Sequence, residues 1–236
     1  MRIGTWNLQR GGRSGWAVAH QMEALQALDF DIMVLTEPPP EFEVAGRSVI
    51  SSPAERDGRE AWVAIVGDSL EPIDPPLEFA KLAVGARSPK SDPPVTVLGS
   101  VLPWLAAPRQ ASKLALDGED SFAMFRRFVA AQAAVVHQYQ RTLREDLIVW
   151  AGDFNQTLTG PIQGGGSEER RNELSTTIAR LGLAAWNCDA PHAKSPLHAI
   201  DLICGSKGSH PDALSVISSR AAGKQLTDHA GYIVAV

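Results

Sequence analysis

The chain is poor in cysteine, with only Cys188 and Cys204 in 236 residues, and their spacing builds neither a metal-ligand motif nor a disulfide framework. Both are expected to be free, buried thiols. No apolar run approaches the roughly 20 residues that a membrane helix requires. The first residues also lack a charged segment followed by an apolar one. A cytoplasmic protein without a membrane anchor is therefore expected. Positive charge is in deficit, with 22 Lys and Arg against 27 Asp and Glu for a formal net charge of -5. That excludes a broad electrostatic grip on nucleic acid and leaves room only for a local basic patch. With 44% hydrophobic and 21% charged residues the composition is neither disordered nor fibrous. One globular domain over residues 1–236 is expected.

What the chain does have is five short polar stretches, each beside an apolar, strand-like run: Thr5-Trp6-Asn7, Thr36-Glu37, Gly152-Asp153-Phe154-Asn155, Ile200-Asp201 and Thr227-Asp228-His229. A carboxylate or carboxamide at the end of a buried strand is costly unless it has a partner. Five of them point to one shared partner. A hard cation held by oxygen ligands, beside a general base and an oriented histidine, satisfies all five and suits phosphate-ester hydrolysis.

Periodicity gives alternating elements without a repeat. Residues 2–7 read as a strand, followed by a loop at residues 10–15 and a helix with Val18, Met22, Leu25 and Leu28 on its apolar face. Residues 32–35 form a buried strand that Pro38-Pro39-Pro40 stops, which holds Glu37 at its end. Shorter strands are expected at 47–50, 61–66, 81–84 and 95–101, separated by turns at 71–76 and 88–94. A long helix from Ser121, capped by Asp120 or Ser121, carries Phe125, Val129, Val136 and Leu143 along its apolar stripe. The strand 147–150 then leads into Gly152-Asp153-Phe154-Asn155, and a helix begins at Ser167 with Glu168 and Glu169 in its first turn. Later strands are expected at 183–186, 199–204, 214–217 and 230–236. Strands outnumber helices, which suggests two packed sheets covered by helices.

In their order and spacing, Trp6-Asn7, Glu37, Gly-Asp-Phe-Asn at 152–155, Ile200-Asp201 and Asp228-His229 resemble the signature of the endonuclease/exonuclease/phosphatase superfamily, the exonuclease III and DNase I-like phosphoesterases. The resemblance implies an α/β four-layer sandwich of two mainly antiparallel or mixed sheets flanked by helices. It also implies a Mg²⁺- or Mn²⁺-dependent phosphoesterase.

Asp153 and Asn155 are two apart, so on an extended backbone both side chains face one side, and Asp153 is the candidate for activating water. Glu37 offers a hard oxygen to a metal, with Asp228 as a second ligand. Asn7 and Asn155 would position the phosphate or the metal's water shell by neutral hydrogen bonds. An imidazolium at His229 would stabilise charge on a non-bridging oxygen. By the resemblance, Asp201 orients that histidine and raises its pKa.

Other features are weaker. Gly164-Gly165-Gly166 reads as a loop, His137 as an exposed or packing residue of the long helix, and His198 as an outside candidate for phosphate contact. The chain also departs from the family pattern. Many members carry a histidine or tyrosine near the end of the middle strand, where this chain has Ser100-Val101-Leu102-Pro103-Trp104. Trp104, Arg109 and Lys113 are the candidate replacements, and the loops 104–120 and 156–167 are the expected seat of substrate recognition.

The leading expectation is a phosphodiesterase, a nuclease. The alternatives are a phosphomonoesterase or a phospholipid or small-molecule phosphodiesterase on the same site, and a catalytically weak binding protein that keeps the fold. The expected partner is a phosphate-ester substrate, nucleic acid included, with no obligate protein partner.

Overall fold

The structure, a computed structural model, describes residues 1–10, 14–40, 42–53, 61–73, 80–110, 114–162 and 166–236. Its first sheet contains β1 (Arg2–Asn7), β2 (Ile32–Thr36), β3 (Ser48–Ser51), β4 (Val63–Gly67), β11 (Ala213–Ile217) and β14 (Gly231–Ala235), in the order β11-β14-β1-β2-β4-β3. The second contains β5 (Glu71–Ile73), β6 (Ala83–Ser88), β7 (Val95–Val101), β8 (Leu147–Asp153), β9 (Leu183–Ala185) and β10 (Asp201–Ser206), in the order β5-β6-β7-β8-β10-β9. Both sheets are mixed, each with one parallel pair, β1 with β2 and β7 with β8. A small hairpin, β12 (Arg220–Ala221) with β13 (Lys224–Gln225), lies outside them.

Strand alternation divides the core in two. Ile3, Ile32, Val34, Val63, Ile65 and Val234 join the large cluster shared with the second sheet. Their neighbours Trp6, Met33, Leu35, Val66 and Ile233 face the other way and pack with Leu25 of α1 (Gly15–Ala27). On the far side, α3 (Ser121–Thr142) contributes Phe125, Phe128, Val129 and Val136, and α4 (Glu168–Arg180) adds Leu174 and Ile178. The result is the expected four-layer sandwich, helix, sheet, sheet, helices. The short α2 (Ala107–Gln110) follows β7.

Capping residues act as expected. Asp120 accepts from the N–H groups of Phe122 and Ala123 at the start of α3, and Ser167 accepts from Arg170 N–H at the start of α4. The expected face of α1 is corrected: Ala17, Gln21 and Leu25 are buried, while Val18, Met22 and Leu28 are only partly so. A polar residue occupies the centre of that face because Gln21 donates to the carbonyls of Leu8 (2.8 Å) and Leu226 (3.0 Å).

Residues 71–73, expected as a turn, form the edge strand β5, where Pro72 is tolerated because only one side is paired. Four strands shift toward their C-terminal ends: β3 and β4 end at Ser51 and Gly67, β6 runs to Ser88, and β10 begins at Asp201 rather than at residue 199. Cys204 is buried and Cys188 partly so, both free. No helix among the described residues is long and apolar enough to cross a membrane.

Candidate functional site

Strand pairing carries the polar stretches to one end of the sandwich. Asn7 ends β1 opposite Thr36, Asp153 ends β8, and the antiparallel β8–β10 pair sets Asp201 directly across from Asp153. Gly152 is required between them: at φ +136°, an added Cβ would lie 2.0 Å from the Ser100 carbonyl oxygen of β7. The site opens as a cavity of about 550 Å³ lined by Asn7, Glu37, Asp153, Asn155, Asp228 and His229, with Gln9, Arg10, Trp62 and Trp104 completing the wall.

The backbone around this cavity is unusual. Six non-glycine residues among those described have positive φ, and four of them, Gln9, Arg10, Glu37 and Asn155, line it. Each such conformation costs about 1–2 kcal/mol, a concentration of strain that belongs to functional sites. Glu37 is held there by its own N–H donating to Trp62 C=O (2.8 Å) and by its carbonyl accepting from Arg10 N–H (2.7 Å).

The positive φ of Asn155 also corrects the expected geometry. Asp153 and Asn155 converge through a turn, in which Asn155 N–H donates to Asp153 Oδ1 (2.9 Å), and not through an extended alternation. Asn155 Nδ2 donates to Leu102 C=O (2.9 Å), and Asn7 Nδ2 donates to Asp153 Oδ2 (2.9 Å). Both carboxylate oxygens of Asp153 thus accept from neutral donors. Burial, then the charge of Asp201, push its pKa up to about 7, against the pull of His229 and the Asn155 N–H.

His229 Nδ1–H donates to Asp201 Oδ2 at 2.6 Å, as the resemblance implied. Burial draws the imidazole down, but Asp201, by charge and by hydrogen bond, with Asp153 and Asp228 behind it, lifts it to about 10. His229 is therefore a cation near neutral pH. Its Nε2 lies 3.5 Å from Asp228 Oδ1.

Glu37, Asp228 and Asn7 all line the cavity and offer hard oxygen atoms, the donor type that suits Mg²⁺ or Mn²⁺. Each carboxylate already faces a cation: Arg10 Nη1 stands 3.6 Å from Glu37, and Lys194 Nζ donates to Asp228 at 2.6 Å. Burial opposes ionisation of Asp228, but Lys194 and His229 keep its pKa below the ordinary carboxylate range. The donor set fits a hard divalent ion, which would join counter-charges already drawn to these carboxylates.

A second group that could hold a metal ion consists of His192, Asp201 and His229, with one ligand-type atom from each lying within 4.8 Å of the others. The 2.6 Å bond between two of its members, Asp201 and His229, favours a hydrogen-bonded pair. Ligands about 2.0–2.1 Å from one zinc ion would stand roughly 3.3 Å apart.

The candidates from sequence divide accordingly. Asn7, Glu37, Asp153, Asn155, Asp228 and His229 line the cavity, and Asp201 lies behind His229. Trp104 also lines it, whereas Arg109 is exposed outside the lining and Lys113 lies outside the described residues. His198 precedes β10 and bonds Thr159 Oγ1 (2.8 Å), away from the cavity lining. Gly164 and Gly165 lie outside the described residues, and His137 is exposed on α3.

Sequence reasoning missed Gln9, Arg10, Trp62, Lys194 and His192. Trp62 packs on Trp104 with ring centroids 5.4 Å apart, and Arg10 lies over Trp62 at 4.5 Å. The signal for Arg10 was its place in the loop directly after Asn7. Nothing local in the sequence distinguishes Lys194.

This two-sheet sandwich is a fold found in many solved structures. It is shared with the AP endonuclease LMAP from Leishmania major (TM-score 0.68, 14% identity, 99% of this chain and 86% of that one). It is also shared with the endonuclease domain of TRAS1, a telomere-specific non-LTR retrotransposon (TM-score 0.65, 18% identity, 99% and 96%). Sphingomyelinase C from Streptomyces griseocarneus has it too (TM-score 0.57, 13% identity, 99% and 98%). No protein-family model and no curated protein sequence matches the chain.

Proposed function

We propose that the chain is a divalent-metal-dependent phosphoester hydrolase acting on phosphodiesters, with nucleic acid as its substrate class. One observation carries this reading. A buried carboxylate held near neutrality, Asp153, shares a cavity with an imidazolium, His229, and with two further carboxylates suited to a hard cation. A base with a pKa near the working pH combines availability with proton-accepting strength.

A bound Mg²⁺ or Mn²⁺, held by Glu37 and Asp228 with Asn7, would supply charge neutralisation to the phosphate. Asn7 and Asn155 orient the Asp153 carboxylate. Asp153 takes the proton of the attacking water as the water oxygen bonds to phosphorus, while the bond to the leaving oxygen breaks and that oxygen departs, taking its proton from solvent. His229, aimed by Asp201, donates from Nε2 to a non-bridging oxygen as charge builds there.

Two further features support the nucleic-acid reading over the lipid one. Trp62, Trp104 and Arg10 form an aromatic and cationic wall suited to a base and its neighbouring phosphate. Two of the proteins sharing the fold are named as endonucleases. The sphingomyelinase keeps a lipid diester as the second reading.

The test is turnover of plasmid DNA, abasic duplex, RNA, a generic diester, sphingomyelin and a generic monoester with Mg²⁺ or Mn²⁺. Diester cleavage that EDTA abolishes is expected. Turnover of the monoester alone would defeat the diester reading. No turnover of any substrate would leave a binding protein on the same fold.

A further inference from the structure

His192 follows Pro191 in the loop between β9 and β10, and its side chain is not part of the cavity lining. The loop is firmly placed. Tyr232 Oη–H donates to Pro191 C=O (2.9 Å), His192 N–H to Leu197 C=O (2.9 Å) and Ala199 N–H to Ala190 C=O (2.9 Å). These bonds set the His192 imidazole, only 8% exposed, edge-on to His229 with ring centroids 5.4 Å apart.

The two ring nitrogens of His192 differ. Nδ1 accepts from Lys194 N–H (3.1 Å), which places the proton of the neutral ring on Nε2. Burial, followed by the His229 charge, lowers the pKa of His192 and favours that neutral form. Nε2 has no partner among the described residues, and neither has Asp201 Oδ1, the oxygen that His229 leaves free. An unpaired donor and an unpaired acceptor, both buried within one close group, call for each other.

We propose that His192 is a positioning residue for the Asp201–His229 pair: its Nε2–H serves Asp201 Oδ1, through a small ring rotation or one bridging water. The carboxylate is then gripped at both oxygens, by His229 at one and His192 at the other. Its plane is fixed, and so is the direction in which His229 points into the cavity. A carboxylate held by one bond can pivot about it, whereas one held by two cannot.

The inference deepens the phosphoester reading and rests on it for its kinetic arm. Two variants isolate the donor, because both His192→Phe and His192→Gln lose the acceptor for Lys194 N–H and only the glutamine keeps a donor near Nε2. His192→Phe is expected to lower kcat about 10–100-fold, with KM and Tm little changed. His192→Gln is expected to retain most of the activity. In an Asp201→Asn background, His192→Phe should add no further loss.

Equal losses in the two variants, or full additivity with Asp201→Asn, would overturn the proposal. A second readout needs no turnover: the downfield Nδ1–H proton resonance of His229, recorded without substrate. It should move in His192→Phe and stay in His192→Gln. Were the wild-type protein inactive on every ester, the phosphoester reading would fall while this resonance still decided the role of His192. An unmoved resonance in His192→Phe would refute it.

Discussion

Two aspartates bracket β8, and the fold treats them in opposite ways. Asp146, just before the strand, accepts from Arg87 Nε (2.7 Å), Arg87 Nη2 (2.9 Å) and Thr96 Oγ1 (2.7 Å). The Arg87 hydrogen bonds outweigh partial burial and hold its pKa below the ordinary carboxylate range. Asp153, at the other end, has among the described residues only the neutral donors of Asn7 and Asn155, and its pKa is pushed up to about 7. One end of the sandwich satisfies its buried charge within the fold. The other keeps a carboxylate whose charge no cationic side chain among the described residues neutralises by direct hydrogen bond, which is the condition for useful chemistry.

Swapping each carboxylate for its amide should break this contrast most strongly. Asp153→Asn is expected to lower kcat about 10²–10⁴-fold, the range of a lost general base, with stability unchanged or raised. Asp146→Asn should leave kcat/KM intact and lower Tm, because Arg87 loses its bidentate partner. Steady-state kinetics and thermal melts of both variants check this. Comparable loss of activity from both would erase the distinction.

The pH profile is the next largest effect. With a base near 7 and an imidazolium near 10, kcat/KM should rise as pH increases toward about 7, level off, and decline as His229 deprotonates near 10. A cation bound at Glu37 and Asp228 would draw the lower limb to lower pH and, because His229 lies 3.5 Å from Asp228, the upper limb as well, so raising Mg²⁺ should shift both limbs to lower pH.

Legibility from sequence followed the same division. Asn7, Glu37 and Asp153 were readable because each ends an apolar run, and Pro38-Pro39-Pro40 or Gly152 marks the backbone break. Asp201 could be assigned to His229 only through the family resemblance, since the pairing spans 28 residues. Arg10 and Trp62 were missed because they meet only through the β1–β2 and β2–β4 registers, in which Asn7 pairs with Thr36 and Thr36 with Val63. Lys194 and His192 come from a loop whose path is set by tertiary hydrogen bonds. The α1 face was misjudged for a related reason, since Gln21 is buried to satisfy two carbonyls that no local pattern reveals. Periodicity captured the sandwich, while strain and side-chain pairing required the fold.

Stability against pH sharpens the comparison with a smaller signal. The folded pKa of Asp146 is depressed, so its contribution is present above the ordinary carboxylate pKa and is lost as pH falls through the depressed value. Asp153 has the opposite sign. Its folded pKa is raised, so wild-type stability falls as pH rises from the ordinary value of 3.8 to about 7. Melts from pH 3.8 to 7 should show Asp153→Asn gaining on wild type as pH rises, and Asp146→Asn at a constant deficit that narrows only as pH falls below 3.8. Parallel curves for the two variants would remove the asymmetry.

The smallest expected effect lies at Lys194, whose ammonium shares Asp228 with any bound cation. Lys194→Ala should lower the half-saturating Mg²⁺ concentration by roughly twofold to fivefold, the scale of a partly exposed ion pair. Metal titration of activity checks this, and a rise in that concentration would mean that Lys194 assists the cation.

The most direct test is a carbon-13 NMR titration of the Asp153 and Asp146 carboxyl groups in metal-free protein. The expected result is a midpoint for Asp153 near 7 and one for Asp146 below the ordinary carboxylate range. Both groups titrating together in that ordinary range would contradict the claim that the two ends of β8 hold carboxylates in opposite states.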